Sequence, residues 1–237
     1  MSVWEIFFGN NRYQYMLEGL KFSLLVTAFA AVIGIIIGLV VALLRITEFK
    51  PFKFLKGKKY LGRLADFNPF SFVATIYVDI IRGTPSVVQL MIMHTVIFGS
   101  VKNVPKLVVA GLAFGINSGA YVAEIIRAGI QGLDKGQMEA ARSLGMSYSM
   151  AMYYIIIPQA IKNILPALVS EFIILLKETS IVGFIGGMDL LRSANIIISQ
   201  TYRAFEPLMA VALIYLILTG IFTKIMRIVE RRMRVSD

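Results

Sequence analysis

Four carboxylates interrupt long apolar stretches of this sequence: Asp79, Glu124, Glu171 and Glu178. A charge in such a stretch is costly unless it faces a cavity, a cation or a partner. Glu171 and Glu178 are seven residues apart, so two helical turns would place them on one face, about 10 Å apart along the axis. Together they could hold an ammonium or guanidinium group. Alternatively, Glu178 forms a structural ion pair with Arg82 or, less favourably because adjacent helical residues diverge, with Lys177.

Other polar residues near these carboxylates could complete a binding site. Arg82 and Thr84 flank a Gly-Pro break, where loosened backbone can line a cavity. Arg82 could bind a substrate carboxylate with two parallel N–H groups, or belong to a structural ion pair. Thr179 and Ser180 follow Glu178 directly and could supply hydroxyl groups. The predicted substrate-binding residues are Arg82, Thr84, Glu171, Glu178, Thr179 and Ser180.

Metal and thiol chemistry find little support in the composition. The chain has no cysteine and one histidine, His94, which lies in an apolar run. A single histidine cannot hold a metal alone, so we predict a packing role for His94, no metal site and no catalytic residues. An intramembrane enzyme would need converging catalytic groups that these scattered residues do not offer.

The elements that must position these residues are membrane helices. Hydrophobic residues make up 57% of the 237 residues and charged residues 16%, against about 25% charge in ordinary soluble domains. Long apolar runs predict an all-α membrane protein forming one transmembrane domain over residues 1–237. Five spans are predicted at 22–44, 69–98, 107–126, 164–187 and 208–225, with 188–207 as a connector. Segment 69–98 is predicted as one long, broken helix, with two half-helices as the alternative.

Small residues indicate how the helices pack, and basic residues indicate the orientation of the chain in the membrane. The four-residue spacing of Gly34 and Gly38, and of Gly111, Gly115 and Gly119, lets helices approach closely. We predict packing within one chain, with a dimer seam as the alternative. Sixteen Lys and Arg residues fall in segments 45–63, 127–162 and 224–234, and six in the alternate segments. This asymmetry predicts an outside N-terminus and a cytoplasmic C-terminus. It also explains the net charge of +10 by topology and contact with membrane lipid, without nucleic acid.

The segment 127–163, which we name the coupling loop, is predicted to lie in the cytoplasm. Within it, 137–144 is a strong helix former that ends at Gly145, a natural left-handed terminator. A second helical piece should start at Ser147 and stop before Pro158, and Pro166 should mark the start of the fourth span. The small Ala140 and Ala141 would let a partner protein approach closely. The alternative is an ordinary interfacial amphipathic helix.

The coupling loop contains Glu-Ala-Ala, three residues, Gly, nine residues, Ile, one residue, and a hydrophobic residue before Pro. This pattern resembles the signature of importer-type ABC transporter permeases, with Ile157 where the family usually has Leu. The matching positions are Glu139, Ala140, Ala141, Gly145, Ile155, Ile157 and Pro158. Two further motifs, 82–85 followed by Val88-Gln89-Leu90, and 177–180, resemble the branch for polar amino acids (His, Glu, Gln, Arg, Lys or cystine). Glu178 stands where that branch usually has Asp.

The resemblance implies a permease subunit of a bacterial plasma-membrane importer. Glu139, Ala140, Ala141, Gly145 and Pro158 would belong to a coupling helix that docks on a separate ATPase subunit, which binds ATP and Mg. A second copy or a homologous permease would complete the pathway, and an extracytoplasmic binding protein would deliver the amino acid. The chain has no Gly-x-x-x-x-Gly-Lys-Ser/Thr loop, consistent with ATP binding elsewhere. An ion-driven secondary transporter would instead predict inverted repeats, and no convincing repeat is present.

Overall fold

The structure, a computed structural model, describes residues 2–47, 49–56 and 65–234. The described residues form ten α-helices. They are α1 (Val3–Phe8), α2 (Tyr13–Ile46), α3 (Pro69–Arg82), α4 (Ser86–Ile92), α5 (Lys106–Gln131), α6 (Lys135–Ser143), α7 (Tyr148–Ala151), α8 (Ile157–Glu178), α9 (Leu190–Thr201) and α10 (Phe205–Arg234). The predicted orientation also rests on Lys58, Lys59 and Arg63, which lie outside the described residues.

Three of the described helices, α2, α5 and α10, are long and apolar enough to cross a membrane. The pair α3 and α4, extended by a π-helical turn over Met93–Ile97, adds a fourth candidate if the two count as one bent span. Helix α8 has 22 residues but is not among these candidates. The all-helical membrane architecture is therefore confirmed, whereas the predicted total of five spans is not.

The centre of the chain is the contact between α2 and α5, where small residues bring two helices together. A side chain at Gly115 would meet Ile33 Cβ at 2.7 Å, and one at Gly119 would meet Ile37 Cγ2 at 2.8 Å. Gly34 lies against Ser118 in the same way. The glycine spacing therefore serves packing within one chain, as predicted, because any larger residue would separate the two backbones.

The segment predicted as one long broken helix is two helices, α3 and α4, that meet at a bend of 103°. Helix α3 ends at Gly83, whose N–H donates to the carbonyl of Asp79, and Pro85 caps the start of α4. Proline disfavours helical backbone at the preceding residue, Thr84, which favours a helix end at this position. The segment is therefore broken between Gly83 and Pro85, and its two pieces can be counted as one bent span or as two half-helices.

Pro158 does not end a helix, which corrects the sequence prediction. Helix α7 begins after Ser147, whose Oγ accepts from Met150 N–H, and continues through a π-helical turn (Met152–Ile156) into α8. Proline is tolerated in the first turn of a helix, where its missing N–H costs no hydrogen bond. Pro166 lies inside α8 rather than at its start. A 3-10 helix (Thr179–Ile185) follows α8 and ends at Gly186 in a left-handed conformation.

Helix α9 occupies the region predicted as a connector. Asp189 caps it by accepting from Arg192 N–H at 2.8 Å, and Leu190, Ala194 and Ile197 are buried in a second core. The N-terminal α1 joins this core through Ile6. Twelve helical residues with a polar face fall short of the length of a span, so hydropathy alone did not indicate this helix.

Candidate substrate cavity and coupling loop

A cavity of about 500 Å³ opens at the corner between α3 and α4. Three parts of the chain that are distant in sequence line it: the corner itself, the middle of α5, and the end of α8 with the 3-10 helix after it. We name it the corner cavity. It is lined by Arg82, Gly83, Thr84, Pro85, Ser86, Val87, Asn117, Tyr121, Glu178 and Ile181.

The side-chain amide of Gln89 holds this corner together. Its Nε2 donates to the carbonyl of Ile81 at 2.8 Å and to Thr84 Oγ1 at 2.7 Å. Its Oε1 accepts from Asn117 Nδ2 at 2.9 Å, which ties the corner to α5. The carbonyl of Ile81 and the hydroxyl of Thr84 therefore keep hydrogen bonds although the helix is interrupted there. Gln89 lies in a recognised sequence motif, but the sequence assigned it no role.

Arg82 lies against an aromatic ring. Its guanidinium carbon lies 5.2 Å from the ring centroid of Tyr121, a distance at which a cation is attracted to a ring face. Among the described residues, no ion pair joins Arg82 to Glu178. The two opposite charges thus line one cavity without forming an ion pair with each other.

The two glutamates of α8 differ in environment. Glu178 is half-buried and lines the corner cavity, with Ser86 Oγ donating to its Oε1 at 3.5 Å. Glu171 is only 8% exposed, and its Oε1 accepts from Ser118 Oγ of α5 at 2.9 Å. Glu171 is absent from the residues that line the corner cavity. The seven-residue spacing therefore does not bring both carboxylates to the lining of this cavity.

Thr179 and Ser180 also diverge from Glu178. Thr179 is fully buried, and its hydroxyl donates to the carbonyl of Leu176 at 2.7 Å. Ser180 lines a different cavity, of about 380 Å³, with Asp189, Arg192 and Asn195. Of the six predicted residues, the corner cavity therefore brings together Arg82, Thr84 and Glu178. It adds three polar residues that the sequence did not single out: Ser86, Asn117 and Tyr121.

The remaining two carboxylates of the apolar stretches have other surroundings. Glu124 accepts from Arg45 Nη1 at 2.5 Å and also pairs with Arg127, so it joins the end of α2 to α5. Asp79 is exposed near the end of α3, as is Arg82. Exposed charges in the middle of an apolar segment face a partner or an aqueous path more readily than lipid. The exposed charges of Asp79 and Arg82 therefore give the end of α3 a polar surface.

Outside the apolar helices, an ion pair joins two residues of the segment between α2 and α3. Lys50 Nζ donates to Asp66 Oδ1 at 2.9 Å. This hydrogen bond and the charge of the lysine hold the pKa of the Asp66 carboxyl below its usual value. Both side chains are exposed, so the pair contributes little to stability.

In the coupling loop, α6 has the predicted helix and terminator. Asp134 caps its start by accepting from Gly136 N–H at 2.8 Å. Gly145 has a φ of +84°, a conformation that glycine adopts without strain, and Met146 N–H then donates back to the carbonyl of Ala141 at 3.2 Å. Local sequence signals therefore define both ends of α6.

The two alanines of the coupling loop point in different directions. Ala140 is exposed, whereas Ala141 is only 4% exposed and packs inside the chain. Leu144, one turn after Ala140, is 84% exposed. Glu139 and Pro158 are also exposed. Ala140 therefore lies with Leu144 on the surface of the chain, whereas Ala141 does not.

Metal binding finds no support in the geometry. The described residues contain no group of three or more His, Asp or Glu side chains that could hold a metal ion.

Comparison with known proteins agrees with the pattern in the coupling loop. Residues 60–235 match the family described as binding-protein-dependent transport system inner membrane component. The chain is 41% identical to the arginine transport system permease protein ArtQ of Bacillus subtilis (strain 168), over 94% of both chains. It is 34% identical to the glutamine transport system permease protein GlnP of Escherichia coli (strain K12), over 93% of both chains.

Solved structures have the same fold. A chain from the crystal structure of an amino acid ABC transporter with histidines superposes with a TM-score of 0.81 at 46% identity, covering 93% of this chain and 94% of that one. A chain of the inward-facing MetNI methionine ABC transporter gives a TM-score of 0.72 at 18% identity, covering 93% and 97%. The second similarity concerns the fold alone.

Proposed function

Because this chain belongs to the family of binding-protein-dependent transport system inner membrane components, we propose that it is the permease subunit of an ATP-binding-cassette importer for a polar amino acid. Permeases for arginine and for glutamine are similar to it over nearly their whole length. The proposal places the protein in a bacterial plasma membrane. It also assigns ATP and Mg to a separate ATPase subunit, so the permease alone should not hydrolyse ATP.

The observation that carries the proposal is the pair of opposite charges in the corner cavity. Arg82 and Glu178 line the same cavity and form no ion pair with each other. An amino acid carries a carboxylate and an ammonium group, which fit these two side chains in that order. The hydroxyls of Thr84 and Ser86 and the amide of Asn117 can bind the remaining polar atoms.

The other residues predicted to bind substrate do not line the corner cavity, and two of them stabilise the helix that carries Glu178. Glu171 joins α8 to α5 through Ser118, and Thr179 bonds the last turn of α8, so both position the end of the helix that carries Glu178. Ser180 lines the neighbouring cavity and would contact a substrate only there. We therefore assign direct contact to Arg82, Thr84 and Glu178.

Reconstituted transport tests the substrate assignment. The permease, its ATPase and its binding protein are placed in proteoliposomes, and ATP-driven uptake of labelled arginine, histidine, glutamine and glutamate is measured. A saturable signal with one or more of these amino acids is expected, with reduced uptake in Arg82→Gln and in Glu178→Gln. Wild-type kinetics in both variants would remove the corner cavity from the pathway.

The orientation and the number of spans follow from the same proposal. We propose five crossings, with α8 and its 3-10 extension as the fourth, an outside N-terminus and a cytoplasmic coupling loop. Helix α8 packs between α5 and α10, two candidate spans, which supports a crossing in spite of its charges. The chain has no cysteine, so single cysteines at Ser2 and at Ser236, which lies outside the described residues, report each side. In intact cells an impermeant thiol reagent should label only the first.

The coupling loop supplies the ATPase contact in this proposal. Ala140 and Leu144 would insert into the ATPase, Glu139 would lie at the rim, and Gly145 and Pro158 would set the direction of the chain on either side. Gln159 Nε2 donates to Gln137 Oε1 at 3.2 Å and so links α6 to the base of α8. Through this link a movement of the ATPase would reach the helix that carries Glu178. A second permease, identical or homologous, would complete the pathway.

A further inference from the structure

A further polar site lies where the end of α4 leads towards α5, away from the corner cavity. His94 belongs to the π-helical turn after α4, and Lys106 is the first residue of α5. Lys106 Nζ lies 3.1 Å from His94 Nε2 and 3.5 Å from Nδ1. Both side chains line a cavity of about 290 Å³. The predicted packing role of His94 is therefore incomplete, because its ring also binds a lysine.

Among the described residues, Lys106 has no carboxylate as a partner. An ammonium group has three donors, and His94 is the only side chain recorded as its partner among the described residues. No carboxylate lines the cavity, whose other polar side chain is Asn103. A partly buried cation without a counter-ion is costly, and a bound anion would remove that cost.

The local backbone also favours an anion. Helix α5 is 26 residues long and begins at Lys106, so the positive end of its dipole lies at the cavity. The first N–H groups of a helix are free to bind anionic oxygens. The helix end thus adds to the charge of Lys106 on the same side of the cavity.

Exposed apolar residues lie close to the cavity-lining residues along the chain. Val96, Ile97 and Val101 are 71%, 56% and 54% exposed. Two of these residues follow His94 in the same π-helical turn, and Val101 itself lines the cavity. A cationic cleft with an apolar margin, at the ends of two membrane-inserted segments, matches the two parts of a phospholipid.

We propose that this cleft binds the phosphate headgroup of an anionic phospholipid, with its acyl chains lying along Val96 and Ile97. Lys106 and His94 donate to the phosphate oxygens, and Asn103 contacts the rest of the headgroup. The volume lies at the lower end of the range for small-molecule pockets, which suits a headgroup without its chains. The site is separate from the corner cavity and does not depend on transport.

Lipid binding to the complete purified transporter tests this. Phosphatidylglycerol and phosphatidylcholine with identical acyl chains are titrated separately, and binding is followed by native mass spectrometry and by the shift in thermal unfolding. The wild type should prefer phosphatidylglycerol. Lys106→Gln should lose about fivefold in phosphatidylglycerol affinity, the typical effect of one basic residue at a lipid surface. Lys106→Arg should retain the preference, which separates loss of charge from misfolding.

Lys102→Gln is the matched control, since it removes the same charge from an exposed position four residues earlier that does not line the cavity. It should leave the lipid preference intact. Equal affinities of the wild type for the two lipids, or equal losses in Lys102→Gln and Lys106→Gln, would overturn the proposal. So would equal protection by millimolar inorganic phosphate, which would assign the cleft to a free anion. A loss of binding-protein-stimulated ATP hydrolysis by Lys106→Gln in pure phosphatidylcholine would assign it to a protein carboxylate instead.

Discussion

The corner cavity and the coupling loop differ in how far apart along the chain their parts lie. The cavity combines residues from the α3–α4 corner, the middle of α5 and the end of α8, up to 99 positions apart between Arg82 and Ile181. In the coupling loop, by contrast, two residues only 11 positions apart define the ends of α6: Asp134 caps its start and Gly145 terminates it. Substitutions at the surface of the loop should therefore affect a partner while sparing the fold. Substitutions around the cavity act on helix contacts and ligand together.

The largest effect is expected from charge on the exposed face of α6. Ala140→Asp should abolish uptake and the stimulation of ATP hydrolysis by the binding protein, because a carboxylate in a docking interface would be desolvated without a partner. Membrane content of the protein should stay at the wild-type level, since Ala140 is exposed. Uptake assays and quantitative immunoblots measure the two quantities.

Ala141→Asp, the neighbouring change, provides the contrast. Ala141 is buried within the chain, so a charge there should lower the amount of folded protein in the membrane. Normal coupling in Ala140→Asp, or equal membrane levels with equal loss of uptake in both variants, would contradict the separation of the two alanines.

The next effect concerns charge in the corner cavity. Glu178→Gln keeps the shape of the side chain and removes its charge, and loss of a buried charge-assisted contact costs about 2–5 kcal/mol. Substrate affinity should therefore fall at least about tenfold, measured as the concentration dependence of uptake. Lys177→Gln is the control, because Lys177 is exposed and does not line the cavity.

The ion-pair alternative for Glu178 makes a different prediction. If Arg82 and Glu178 neutralised each other, Glu178→Gln would lower membrane expression and Arg82→Gln in the same protein would restore it. The geometry has no such pair, so the double variant should be expressed like the single variant and take up no more substrate.

A smaller, purely structural effect is expected where α2 meets α9. A side chain at Gly19 would come within 2.7 Å of the backbone carbonyl oxygen of Asp189, which no rotamer change can relieve. Gly19→Ala should destabilise the protein by about 1–3 kcal/mol, the usual cost of overpacking. Gly220→Ala, in α10, meets open space and should be neutral or stabilising by up to about 1 kcal/mol. Thermal unfolding in detergent compares them, and equal shifts would refute the contact.

The smallest effect belongs to the cap of α7. Ser147→Ala removes an acceptor for Met150 N–H and should cost about 1 kcal/mol. Uptake should stay near the wild-type level, because the helix that follows continues without a break into α8. Hydrogen exchange at 148–151 measures the loss of protection, and unchanged exchange there would mean that the cap contributes nothing.

Predictions from the sequence succeeded where a signal is local. Glycine spacing indicated close helix packing within the chain, which the structure shows between α2 and α5. The Gly145 terminator with the preceding helix former indicated α6, because backbone conformation there depends on residues within one turn. Prediction failed at Pro158, where a π-helical turn and the first-turn position absorb the proline. It also failed at α9, whose stability comes from a core shared with α1 and α2.

The sequence by itself determined the membrane class, the family pattern and the residue types of the site, since apolar length, turn residues and motif spacing are properties of neighbouring residues. Only the tertiary structure decided which charges share a cavity. Glu171 and Glu178 have the same spacing whether or not a neighbour covers one of them, and α5 binds Glu171 through Ser118. Arg82 and Glu178 likewise line one cavity at the 103° bend, a relation between distant helices that no local pattern encodes.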